Sequence, residues 1–264
     1  MDSETLTPVP AAAPQPTPGR RRRTAALVAA LWLAVLGAGG LVYLVTRSTP
    51  QPASAASGSP AGDQLRVTGI PASVPTSLAQ LMGLSPVPVR AASGFTLVDQ
   101  SGTTGSLAGF KGRSVVLEFM DPHCVDICPL VSQEFLNAAR DLGPAAAHVV
   151  FVAVNVNKYH AAVADVASFS QAHRLNTLPS WHFFTGPVGT LQNVWDAYGI
   201  LVADKGANAD IVHTDTIFFI DPSGNVRYVA APMADYTASG TAYLPSSDLL
   251  AWGQGIALVA RSLT

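Results

Sequence analysis

Sulfur and charge are both scarce in this chain. Its 264 residues contain two cysteines, Cys124 and Cys128. That number excludes a scaffold of the small secreted type, which needs several disulfides in place of a core. Lysine is nearly as rare, 3 against 12 arginines, which we read as compositional bias without functional weight. Charged residues make up 12% of the chain and the formal net charge is −2. Nothing in that balance supplies the basic surface that nucleic acids require, so no nucleic-acid partner is expected. Apolar residues reach 48%, enough over this length for one cored domain with appendages. There is no internal repeat.

One stretch has no charge at all. "TAALVAALWLAVLGAGGLVYLV", Thr24 to Val45, follows four consecutive arginines, Arg20 to Arg23. At helical rise it extends ~33 Å, enough for a bilayer core of ~30 Å. The expectation is a single transmembrane helix over 24–46. The arginines hold a disordered Pro- and Ala-rich tail, 1–23, in the cytoplasm. The rest then lies outside the plasma membrane of a bacterium, in an oxidising compartment. A cleaved signal peptide is the alternative, with "ASAA" at 53–56 as a cleavage site, but the apolar run is long for one and a tail precedes it. With no cysteine nearby, a lipoprotein is not expected. Residues 47–90 read as a linker and lead-in. Within them "TSLAQLMGL" has the makings of a short helix and "SPVPV" of an extended segment.

From residue 91 to 264 the pattern is that of a folded domain. "SVVLEFM" (114–120) and "HVVFVAVNV" (148–156) are apolar runs of β-formers, hence buried strands. "GFTLVDQSG" (94–102), "WHFF" (181–184), "TIFFID" (216–221) and "NVRYVA" (225–230) supply further strands, the last two joined by the turn "DPSG". Helices are expected from Pro129 to Gly143, over 161–175, 191–200 and 246–263. This alternation predicts an α/β, thioredoxin-like domain: a mixed central sheet flanked by helices. In open sheets of this kind chemistry sits beyond the carboxyl ends of strands.

Both cysteines occupy such a position, in "DPHCVDICP" (121–129). A structural disulfide between them closes too small a loop to stabilise much. A redox pair and a metal clip remain open. Pro129 places Cys128 at or near a helix cap, where unpaired N–H groups should lower its pKa and favour the thiolate. A soft metal on two thiolates accepts a neutral imidazole as third ligand. Of six histidines, His213 stands three residues before "TIFFID", where the fold turns a loop towards the cysteines. Thiol oxidoreductases of this fold carry a proline before that strand. No proline lies between Asp210 and Asp221, which favours metal. A thiol peroxidase is disfavoured, because Asp121 occupies the place of the threonine that would orient the peroxide.

"DPHCVDICP" taken with "VHTDTIFFIDPSG" resembles the Sco/SenC family of membrane-anchored copper proteins of cytochrome c oxidase assembly. The family pattern is C-x-x-x-C-P after a strand, then a lone histidine nine residues before the proline of a D-P-x-G turn. Cys124, Cys128, Pro129, His213 and Pro222 match it, and His123 agrees as well. "WHFFTGPVGTLQNVWDAYGI" (181–200) is similar to the segment the family carries between the two motifs. The resemblance covers about 91–230 together with the anchor. It implies that Cys124, Cys128 and His213 hold copper as Cu(I), with Cu(II) an open alternative. It also implies a metallochaperone that delivers copper to the CuA-bearing subunit of cytochrome c oxidase, or reduces the cysteines of that centre. A thiol–disulfide oxidoreductase, with Cys124 and Cys128 as the redox pair, is the alternative. Pro122, Val125 and "VNVNKYH" (154–160) depart from the family pattern.

The remaining candidates have plainer readings. His123 is expected to face solvent, and His148, His160, His173 and His182 to lie on surfaces or make local hydrogen bonds. Asp121 and Asp126 read as solvated loop carboxylates. Met120 reads as core, and Trp195 with Tyr198 as helix packing. Asp204, Asp210 and Asp215 flank His213 on an expected mobile loop, 203–214, that brings the ring to the metal.

Overall fold

The computed structural model describes residues 68–203, 206–207 and 211–264. The tail and span expected over 1–46, most of the linker, and Asp204 and Asp210 lie outside them. Among the described residues no helix is long and apolar enough to cross a membrane.

The core is set by two strands, β4 (Ser114–Met120) and β5 (Val149–Asn155), whose residues are buried at every position. Their side chains alternate between two covered faces, so both sequences read as continuous apolar runs. They pair in parallel, and β6 (Trp181–Phe184) extends the parallel set beyond β5. On the other side of β4 lies β9 (Ile217–Ile220), antiparallel to it. Next comes β10 (Asn225–Ala230), then β1 (Ser85–Ala91), each antiparallel to its neighbour. The sheet order is thus β1-β10-β9-β4-β5-β6, the mixed thioredoxin-like sheet expected from the sequence. β1 brings Pro86 and Pro88 into the sheet, ahead of the expected domain start at 91. It does so as an edge strand whose register breaks between Pro86 and Arg90, where missing N–H groups cost least.

One face of β4, through Val116 and Met120, packs on helix α2 (Ile127–Leu142) and the C-terminal helix α5 (Ser246–Leu263). The short helix α1 (Thr76–Leu81) and α3 (Val163–Ala172) complete that layer. The other face, through Val115, Leu117 and Phe119, meets α4 (Val188–Tyr198) and the hairpin of β2 (Thr96–Val98) with β3 (Thr104–Ser106). Trp195 and Tyr198 pack there as expected, and the Trp195 Nε1–H also donates to the Asn155 carbonyl at 2.9 Å. Two further strands, β7 (Val202–Ala203) and β8 (Val212–His213), pair with each other outside the main sheet. So do β11 (Asp235–Tyr236) and β12 (Ala242–Tyr243).

Candidate metal centre

The cysteine loop leaves β4 at Met120 and is organised by carboxylates. Asp121 is 3% exposed. Its Oδ1 accepts the His123 N–H at 2.8 Å and the Asn157 Nδ2–H at 2.9 Å, while its carbonyl accepts the Cys124 N–H at 3.1 Å. Asp126 caps α2, accepting the Ile127 N–H at 2.6 Å, and takes the Cys124 S–H at 2.9 Å. Neither is the solvated loop carboxylate expected from the sequence. Each supplies an acceptor that a tight turn or a helix end would otherwise lack.

Both cysteines are free thiols. Cys124 is partly exposed, whereas Cys128 is 2% exposed and lies inside the first turn of α2. Pro129 fits beside it because first-turn N–H groups have no intrahelical partner. The Cys128 N–H donates to the Cys124 sulfur at 3.3 Å. The expectation of a lowered Cys128 pKa is not met. The hydrogen bond with the Cys124 thiol, then burial, then the charge of Cys124 push the Cys128 thiol well above the ordinary range. Cys124 is therefore the sulfur that an incoming group meets, and Cys128 is buried behind it.

His213 is expected on a loop but sits in β8, opposite Val202 of β7. The Thr214 N–H donates to the Leu201 carbonyl at 3.0 Å, and the Leu201 N–H to Thr214 Oγ1 at 3.2 Å. The imidazole is only 4% exposed. Its Nδ1 lies 3.1 Å from the Thr214 carbonyl and 3.4 Å from Asp215 Oδ1. A carbonyl only accepts, so Nδ1 carries the hydrogen and Nε2 is the nitrogen left to meet a metal. Asp215 is the one described carboxylate of the three expected around His213. Burial raises its pKa, the neighbouring His213 lowers it, and the charge of Asp126 raises it further.

What brings the histidine to the cysteines is the antiparallel pairing of β9 with β4, which sets the start of one strand beside the end of the other. Glu118 fastens this junction. Its Oε1 accepts the Thr216 N–H at 3.2 Å and the Phe119 N–H at 3.1 Å. A proline at 216 would have no hydrogen to give. Glu118 is fully buried, and burial with the nearby charge of Asp215 pushes its pKa well up. In the sequence, the one signal for this residue is a lone charge inside "SVVLEFM".

Cys124 and His213 line one cavity of about 220 Å³ with Asp121, Asp126, Asp215 and Tyr236. Among the described residues neither lysine nor arginine lines it, and its described carboxylates favour a cation. Two sulfurs and an imidazole with a free Nε2 form a donor set suited to a soft monovalent metal. Among the described residues, one set of three donor groups has all its donor atoms within 4.8 Å of one another, and it is a different set, His123, His160 and Asp165. Cys124, Cys128 and His213 thus do not stand together at coordination distance, although Cys124 and His213 share the cavity.

Solved structures of similar fold include Bradyrhizobium japonicum ScoI with copper bound, 18% identical, at a TM-score of 0.51, covering 66% of this chain and 100% of that one. Arabidopsis thaliana ScoI with copper bound is 18% identical at a TM-score of 0.50, covering 66% and 99%. Apo Sco1 from Thermus thermophilus is 19% identical at a TM-score of 0.50, covering 68% and 93%. At such identities the likeness speaks to the fold. No curated protein matches the sequence. The sequence model of the SCO1/SenC family matches residues 86–239, more than half of the chain and both of its motifs, and the chain therefore belongs to the SCO1/SenC family.

Proposed function

We propose that this protein is a membrane-anchored copper metallochaperone of cytochrome c oxidase assembly, with Cys124, Cys128 and His213 as the copper ligands. The observation that carries this reading is the shared cavity. Cys124 opens onto it, and His213 lines it with Nδ1 committed to a carbonyl and Nε2 available. Relatives of similar fold, the ScoI proteins of Bradyrhizobium japonicum and Arabidopsis thaliana, hold copper in their structures. Two thiolates and one imidazole favour Cu(I) over harder ions. The recipient is the oxidase subunit bearing CuA, which receives copper or has its cysteines reduced. Residues 24–46 cross the plasma membrane of a bacterium, with the N-terminus cytoplasmic and the domain outside.

Titration of the reduced chain with Cu(I) against a chromogenic chelator tests the ligand set. About one Cu(I) per chain is expected from three ligands. His213→Ala should weaken binding at least tenfold, and unchanged affinity would remove His213 from the site. One observation favours thiol–disulfide exchange as a second duty: the partly exposed Cys124 sulfur accepts the backbone N–H of Cys128, whose own thiol is buried. A chain with no copper affinity, but with a reduction potential in the range of catalytic pairs, would make that the primary activity.

A further inference from the structure

His123 and His160, expected as unrelated surface residues, meet across two loops. Their rings stack with centroids 3.5 Å apart. Both face one oxygen of Asp165: His123 Nε2 lies 3.5 Å from Oδ1 and His160 Nδ1 lies 3.9 Å from it. These separations exceed the usual N–H···O length of about 2.9–3.0 Å. They come near the ~3.3 Å that separates two ligands on a tetrahedral ion with bonds of roughly 2.0–2.1 Å. All three donor groups fall within 4.8 Å of one another.

The cluster is held from behind. The second oxygen of Asp165 accepts the Ala162 N–H at 3.1 Å, which orients the first towards the rings. Asp121 Oδ1 accepts from the backbone of His123 and from the side chain of Asn157. The Asn157 carbonyl in turn accepts the His160 N–H at 3.2 Å, and Asn155 Nδ2 donates to the His160 carbonyl at 2.8 Å. One buried carboxylate therefore sets both histidine-bearing loops. The half-exposed His123 ring borders an open hollow of about 390 Å³, so it has room to turn out of the stack and aim its lone pair.

We infer that His123, His160 and Asp165 form a second metal site, for a divalent first-row cation such as Zn(II) or Cu(II). Two imidazoles and a carboxylate are borderline donors, without the thiolates that favour Cu(I). Open positions towards the hollow leave room for water or an exchanging ligand. This site lies one residue from Cys124 but uses neither sulfur, so it stands whether or not the thiols carry copper.

The test is calorimetric titration of Zn(II) into the full chain carrying Cys124→Ser and Cys128→Ser. One Zn(II) per chain is expected. Adding His160→Ala or Asp165→Asn should weaken it at least tenfold, while His148→Ala should leave it unchanged. Absence of Zn(II) binding in the folded double-serine chain, or binding that survives both His160→Ala and Asp165→Asn, would overturn the proposal. Should the serine variants fail to fold, NMR of the histidine ring protons of the native chain with two equivalents of Zn(II) decides. Shifts at His123 and His160 support the site, and a response at His213 alone refutes it.

Discussion

Glu134 lies on α2 with no exposed surface, and neither carboxyl oxygen has a hydrogen-bond partner among the described residues. Burial pushes its pKa well above the ordinary carboxylate value of 4.5. A raised folded-state pKa makes stability greatest in acid, where the group is protonated in both states. That stability is lost as pH rises from the unfolded value through the folded one. Glu134→Met keeps the length and removes the polar oxygens. It should stabilise the domain at neutral pH by about 1–3 kcal/mol, the usual cost of an unpaired buried polar group. Urea denaturation at pH 4 and pH 7 checks this: the gain should be smaller in acid. A net loss at neutral pH would mean that the carboxyl has a partner. Glu118, equally buried, should not behave this way, because its removal strands the N–H groups of Thr216 and Phe119.

Between elements, α2 packs tightly against α5. A Cβ at Gly253 would collide with Asn137 Cβ and stand 3.1 Å from the Ala138 backbone nitrogen. Nearby, Asn137 Nδ2 donates to the Leu249 carbonyl at 3.1 Å, and the Arg261 guanidinium caps α2 at the Asp141 carbonyl at 2.9 Å. Backbone stands behind the clash, so no side-chain rotation relieves it. Gly253→Ala should therefore cost about 1–3 kcal/mol by overpacking, despite alanine's better helix propensity. Thermal unfolding reads this directly, and an unchanged or raised midpoint would show that the helices can separate. The long elements were legible in the sequence because their own residues specify them. β4, β6, β10 and α5 carry a sustained β-former run or an apolar stripe. β3, β7 and β8 have two or three residues each and no period to detect. They are strands only because a partner lies alongside, which placed His213 on a ladder where a loop was expected. In the same way, spacing and the adjacent proline announced Cys124 and Cys128. His160 and Asp165 have no such mark, since their meeting with His123 depends on how the loops after β4 and β5 are tied together.

For the molecule as a whole, the proposed topology separates its two ends. Protease added to intact spheroplasts should digest the domain and spare the N-terminal tail. Alkaline carbonate should leave the full chain with the membrane, and deletion of 24–46 should release it. A domain shielded from protease until lysis would reverse the orientation. The domain's own architecture has a consequence for its cargo. The cysteine loop and His213 are far apart along the chain, and the β4–β9 ladder sets their ends of the two strands side by side, one of the last long-range pairings that the order of elements allows. A chain in which that pairing has not formed does not present both halves of the proposed copper site together. On the proposed function, occupancy would report that this one pairing has formed: copper bound there would add its binding free energy to the domain's resistance to denaturation, and handing the ion over would give that increment up.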